Sequence, residues 1–211
     1  MKFGVQRRGI YLAPLRGLDR MWIFSQLEAP EIRDNLGVEE GDQLGLRMEH
    51  SLGKIVLGTI RRVVNRQRIG FVAMRHPAGD QDFWDFSYAI PDARHRDAFS
   101  AMHSIDAIVH YMLDHLGVPA VGGLTREDNL PAQVVARRIG YRIIDTRDYG
   151  DGIRWSVFRF GREEWARRVA RLERGEASHP SGLGRVFHVL PEAPFDPVVT
   201  PELLAEHGGD G

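Results

Sequence analysis

YAIPDARHRDAFSAMHSIDAIVHYMLDHLGVPAVGGLTREDNLPAQVVARRIGY, residues 88–141, is the stretch that decides the fold of this 211-residue chain. It opens as the end of a strand, passes through a charged loop and becomes a long amphipathic helix over residues 97–116. Ile105, Ile108, Val109, Met112, Leu113 and Leu116 fall on one face of that helix at period 3.6, and Gly117 stops it. Residues 119–124 read as a buried strand. Asn129 caps a second helix that runs to Arg138 and tolerates Pro131 in its first turn. Ile139-Gly140-Tyr141 closes the segment. A helix start placed directly after a strand end offers unpaired backbone N–H groups, and such a site can hold a phosphate-bearing ligand.

Upstream, residues 10–14 read as a short strand stopped by proline. Residues 18–28 have helical spacing, with a broad apolar stripe of Leu18, Met21, Trp22, Phe24, Ser25 and Leu27. Pro30 opens a second short helix, which Gly37 closes. Residues 38–53 are charged and glycine-rich, and read as a loop. Two β-rich runs, 54–64 and 67–74, flank Asn65-Arg66 and predict a hairpin. After the turn at 77–80, residues 82–90 form a long strand whose face of Trp84, Phe86, Tyr88 and Ile90 should meet the core. Downstream, 141–147 and 153–160 predict a last strand pair. Residues 162–174 form a basic helix docked through Trp165, Val169 and Leu172, with its arginines outside. Beyond Gly175 the composition shifts to Gly, Pro, His and Ser, and only 186–190 and 201–207 look locally ordered. This gives a main domain over 1–160, a docked helix over 161–175 and an extended tail over 176–211.

Composition narrows the function classes. A hydrophobic fraction of 43% supplies a core, and a formal charge of −1 gives no overall pull towards nucleic acid or anionic membrane. The clusters Arg61, Arg62, Arg66, Arg68 and Arg162, Arg167, Arg168, Arg171, Arg174 lack interleaved aromatics, so nucleic acid is not expected as a partner. Cysteine is absent, which excludes disulfides, thiolate metal sites and a cysteine nucleophile. No apolar run approaches the roughly 20 residues of a membrane-spanning helix, and the first eight residues lack a secretion signal's apolar core. A soluble, cytoplasmic protein is the expectation.

The order strand, two helices, three antiparallel strands, helix, strand, helix, two strands carries Tyr88-Ala89-Ile90-Pro91 before the main helix. Asn129-Leu130-Pro131-Ala132 through Arg138-Ile139-Gly140-Tyr141 follow it. In this the chain resembles the GNAT acetyltransferase superfamily, nearest the branch that acts on protein N-termini and small amines, including ribosomal-protein acetyltransferases. The resemblance spans residues 9–160. It implies an α/β fold with a mixed, mostly antiparallel seven-stranded sheet, flanking helices and a C-terminal extension. It implies acetyl-CoA as co-substrate, bound where strands 82–90 and 119–124 splay apart. The pantetheine arm would then pair with backbone near Tyr88, Ala89 and Ile90. The pyrophosphate would lie on the amides of His95, Arg96, Asp97, Ala98, Phe99 and Ser100. Asn129 would add a contact near the cofactor besides capping its helix. Family members carry glycines in the phosphate turn, and here Arg96 and Ala98 stand at those positions. Arg94, His95 and Arg96 offer charge-assisted contacts in exchange, whereas Asp97 adds a negative charge.

The implied reaction is acetyl transfer to a primary amine, a small molecule or a protein N-terminus. Asp85 stands where relatives place a carboxylate beside the cleft and would act as base through water; the plainer reading is a half-exposed strand Asp paired with an Arg. The tyrosine that protonates the leaving thiol in the family is replaced by Ala136, and Tyr141 reads as core. The alternative, from another class, is a GNAT-fold protein without catalysis. It would act as a binding or assembly subunit, a homo-oligomer or a larger complex joined through the tail. Asp106, His110 and Asp114 recur every four residues on the long helix, but the run is too long for one metal ion and reads as a solvated flank. His179, His188 and His207 have no ligand-like spacing. Trp22, Phe24 and Trp84 read as core first and as an acceptor pocket second.

Overall fold

The structure, a computed structural model, describes residues 10–15, 17–36, 38, 49–50, 53–62, 65–77, 79, 81–148 and 152–174. The tail 176–211, most of the 38–53 loop, the tip of the 148–152 turn, and Val63 and Val64 of the predicted hairpin lie outside these. Strands β1 (Ile10–Pro14), β2 (Ile55–Arg62), β3 (Arg68–Arg75), β4 (Trp84–Ala89), β5 (Ala120–Arg126), β6 (Arg142–Asp148) and β7 (Arg154–Gly161) form one seven-stranded sheet, ordered β1-β2-β3-β4-β5-β7-β6. Every neighbouring pair is antiparallel except β4 and β5. Helices α1 (Asp19–Gln26) and α2 (Pro30–Leu36) precede β2, α3 (Ala98–His110) crosses from β4 to β5, α4 (Leu130–Ile139) follows β5, and α5 (Arg162–Glu173) follows β7. The expected mixed, mostly antiparallel α/β sheet with flanking helices is the observed fold. Among the described residues no helix is long and apolar enough to cross a membrane.

Strand alternation divides the core into two layers. Val56 and Ile60 of β2, with Val72 and Met74 of β3, face α3 and α4. Ile55, Leu57, Phe71 and Ala73 face α1 and α2. Between β2 and β3, Arg66 takes a positive φ of 56° while the Asn65 side chain accepts the Gln67 N–H at 3.0 Å, a local bond that fixes the tight turn. Helix α3 runs on into a π turn over Tyr111–His115, where Tyr111, Met112 and Leu113 are all buried, and Gly117 ends it at φ 77°.

Three expectations are corrected. The stripe predicted for α1 is rotated: Leu18 and Met21 are 72% and 69% exposed, while Asp19 is buried. Arg61 donates to both Asp19 oxygens at 2.9 Å and Arg68 donates at 2.6 Å. A buried carboxylate must be paired, and these two arginines lie 42 and 49 residues away, beyond any local pattern. With Arg68 also seated 4.0 Å over the Trp22 ring, Arg61 and Arg68 of this cluster are internally committed.

The second correction concerns α3. Asp106 is buried rather than solvated, because it meets the third misplaced residue, Arg168 of α5. Their bidentate bridge, with bonds of 2.6 and 2.7 Å, leaves Arg168 only 7% exposed. Trp165 donates its indole N–H to Asp114 at 2.7 Å, and Asp114 shares a 2.8 Å bond with His110. The polar flank of α3 is therefore the seat of α5. Among the described residues no three metal-ligating side chains converge. Glu164 accepts the Gly161 N–H at 3.1 Å, a partial capping box at the α5 start.

Candidate active site

The parallel ladder between β4 and β5 consists of two residue pairs, Trp84↔Val121 and Asp85↔Gly122. Past that point the strands separate, β4 remaining bonded to β3 and β5 to β7. The gap opens into a cleft of about 1030 Å³ that passes through the sheet, with α2 on one side and α3 and α4 on the other. Two glycines permit the fork. A Cβ on Gly122 would collide with the Phe158 carbonyl and the Phe83 ring, and one on Gly123 would sit 2.9 Å from the Phe86 carbonyl. Consecutive glycines inside a strand signal close backbone approach, a signal present in the sequence and not used above.

Asp85 stands at the fork and lines the cleft. Its Oδ1 is buried without a hydrogen-bond partner, while Oδ2 forms an ion pair with Arg75 Nη1 at 3.7 Å, the arginine pairing that the plainer reading expected. Burial pushes its carboxyl above the usual range, against the opposing pull of Arg75 and the Phe86 N–H. Deeper in the wall, the Tyr141 hydroxyl is also buried without a hydrogen-bond partner. Its ring stacks on Phe160 at 4.7 Å. Burial, then the Asp106 charge and the Tyr88 hydroxyl, push it up. Burial likewise raises Tyr88. Ala136, at the family's tyrosine position, lines the same cleft.

Of the residues named from sequence, Asp85, Tyr88, Ala89, Ile90, Arg96, Asp97 and Asn129 line the cleft. Ala98 opens α3. His95 turns to Arg62 and Gln67, each at 3.3 Å. Phe99 packs its ring 4.0 Å from His103, and Ser100 is buried. Trp22 packs edge-on against Phe71 and Trp84 against His76, whose ring centroid is 3.9 Å away; neither tryptophan, nor Phe24, lines the cleft. Asn129 caps α4 by accepting the Ala132 N–H at 3.3 Å, and its amide donates to Asn35 of α2 at 3.0 Å. That bond joins the two helices beside the open end of the fork, and Asn35 was not foreseen.

At the α3 start the backbone is already engaged. The His95 N–H bonds Asp92 O at 2.9 Å and the Arg96 N–H bonds Ala93 O at 3.1 Å. Asp97 accepts the Ser100 N–H at 2.7 Å and the Ser100 hydroxyl at 3.0 Å. Asp92 accepts the Arg94 N–H at 2.9 Å, and the Arg94 guanidinium holds its carboxyl down at about 2. Arg96 adopts φ −83°, outside the left-handed region. Its guanidinium folds back to donate to Ile90 O at 2.8 Å and to Pro91 O. The fork leaves an open channel lined by β4 and β5 backbone. At the α3 turn the Asp97 carboxylate, seated on Ser100, is a like charge for any diphosphate brought there.

No family model and no curated protein matches the sequence. Solved structures do match in shape. RimJ of Mycobacterium smegmatis in complex with CoA-disulfide superposes with a TM-score of 0.60 at 15% identity, covering 81% of this chain and 92% of that one. Spermidine N-acetyltransferase from Vibrio cholerae, in complex with CoA and spermine, gives 0.62 at 13% identity over 74% and 98%. Ribosomal-protein-S5-alanine acetyltransferase from Vibrio fischeri gives 0.59 at 9% identity over 78% and 98%. With its forked β4 and β5, its crossover helix and its antiparallel flanks, the chain has the fold of the GNAT acetyltransferase superfamily.

Proposed function

We propose that the protein transfers an acetyl group from a CoA-type thioester to a primary amine by direct attack. The observation that carries this reading is Asp85, placed where the strands part: one oxygen pairs with Arg75, and the other is buried and unmatched. There Asp85 accepts, through a water, one proton from the acceptor ammonium. The freed amine nitrogen forms a bond to the thioester carbonyl carbon, the C–S bond breaks, and a second nitrogen proton passes to the departing thiolate. The products are an amide, a thiol and the proton left on Asp85, which solvent removes. In this reading, backbone groups on the open β4 edge at residues 87–89 serve the arm and the oxyanion. A raised carboxyl suits a base working near neutral pH, and the rate should climb with pH through a value above the ordinary carboxylate range. A thiol-release assay over spermidine and short peptides, run with acetyl-CoA and with acetyl-pantetheine as donors, tests the reading. No thiol release from either donor at millimolar concentration would overturn it.

A second reading, a GNAT-fold binding or assembly subunit, draws on Asp97 and Arg96, which occupy the phosphate turn. It requires that Asp85→Asn leave the protein's role untouched and that deleting residues 175–211 abolish its assembly.

A further inference from the structure

Resting on the transfer reading, the two unlike ends of the cleft identify the donor more closely. At the α3 turn, three of the six backbone N–H groups of residues 95–100, those of His95, Arg96 and Ser100, already have acceptors within the chain. The acceptor for Ser100 is itself an anion, so the place a helix N-terminus offers to phosphate is held by the protein's own carboxylate. A diphosphate brought there would meet Asp97 as a like charge. At the fork, by contrast, nothing answers Asp85 Oδ1. Such a cleft receives the reactive end of a pantetheine thioester and does not grip the diphosphate of free CoA.

The rim shows what holds the other end of the arm. Leu130, Val134 and Arg138 recur every four residues on α4 and all line the cleft. Leu130 is 65% and Val134 48% exposed, a large apolar surface for one helical face. Arg138 is exposed too, with no carboxylate within ion-pairing distance among the described residues. An apolar stripe ending in a cation that has no ion-pair partner among the described residues complements a partner helix that is acidic with apolar interruptions. A single phosphate leaving the cleft would emerge beside Arg138. We propose that the donor is an acylated pantetheine arm tethered through one phosphate to an acidic carrier protein, which docks on the Leu130–Val134–Arg138 stripe, and that Asp97 turns the cleft away from free CoA.

The test compares three donors on the full chain: acetyl-CoA, acetyl-pantetheine, and a phosphopantetheinyl carrier protein loaded with acetyl. Binding of the unacylated carrier is followed separately by fluorescence anisotropy. The expected result is a kcat/KM for the loaded carrier at least about tenfold above that for acetyl-CoA, with acetyl-CoA no better than acetyl-pantetheine. Asp97→Ser, which keeps a capping oxygen and removes the charge, should raise the acetyl-CoA to acetyl-pantetheine ratio about tenfold. Arg138→Glu and Val134→Glu, both on the exposed rim, should lower the carrier to acetyl-pantetheine ratio about tenfold and weaken carrier binding in proportion. A tenfold preference of the natural chain for acetyl-CoA over acetyl-pantetheine would overturn the proposal. So would rim variants that treat carrier and acetyl-pantetheine alike. If none of the three donors reacts and Asp85→Asn behaves as the unaltered chain, the transfer reading itself fails and this inference falls with it.

Discussion

At the β4–β5 fork the Asp85 carboxylate keeps one oxygen unmatched, whereas at the α3 turn Asp97 commits both of its oxygens to Ser100. The two carboxylates line one cleft and are treated in opposite ways. Asp97 is stabilising: it caps a helix and relieves backbone donors that would otherwise need water or ligand. Asp85 Oδ1 is costly: a buried acceptor atom without a donor carries a free-energy penalty that the Arg75 pair on the other oxygen offsets only in part. Side chains that lower stability at a cleft are where function is sought. By that criterion the fork is where chemistry is sought, and at the α3 start the chain supplies a carboxylate of its own to the helix.

The contrast can be broken most directly at Asp85. If it is the base, Asp85→Asn should lower kcat by about 10²–10⁴-fold and remove the acidic limb of the pH–rate profile. Stability should move the other way. Because burial raises the folded-state pKa above the unfolded value, the folded chain holds this proton more tightly, and stability falls as pH rises between the two values. At pH 7 the Asn variant should thus melt no lower than the unaltered protein, as thermal unfolding would show; a lower Tm with an unchanged rate would make Asp85 merely structural. Arg168→Ala tests the buried ion pair that seats α5 on α3. It strands Asp106 in the interior and should cost about 3–5 kcal/mol in denaturant titration, with much of the loss recovered when Asp106 is also made apolar. Gly122→Ala should cost roughly 1–3 kcal/mol, since the new methyl meets the Phe158 carbonyl, and should depress turnover beyond the loss of folded protein by altering the fork. The smallest effect belongs to Asn129→Ala, about 1 kcal/mol for a lost cap. A larger loss there would assign weight to the Asn35 bond.

The architecture was legible because apolar periodicity changes from 2 to 3.6 at the right places. The runs expected at 82–90 and 119–124 hold strands at 84–89 and 120–126, and the Ile105–Ile108–Met112 stripe lies on α3 and its π continuation. Cleft-lining residues on β4 and at Asn129 were reached through the family resemblance rather than through periodicity. What stayed hidden was pairing over long separations. Asp19 looks like an ordinary helix-start acid until Arg61 and Arg68 close on it, and Arg168 looks like an outward arginine until Asp106, 62 residues earlier, meets it. A periodic pattern records which face is apolar, but it cannot record a charge buried because its partner is buried as well. The committed amides of the α3 turn were hidden for a related reason. Asp97 was visible as a negative charge; its role as the bound anion depends on backbone geometry.

The two-pair ladder between β4 and β5 also has a mechanical meaning. It leaves β1 to β4 and β5 to β7 as two plates that meet at a corner, pinned at Trp84 and Asp85. The crossover helix α3 spans them, and the Asn35–Asn129 bond ties their helices near the free edge. A plate pair joined this way flexes like a book along its spine. Its softest motion changes the width of the gap while leaving the sheet bonds within each plate intact, so amide exchange should be quickest along the facing margins at residues 86–89 and 123–126 and slowest in the paired interiors of β2 and β7.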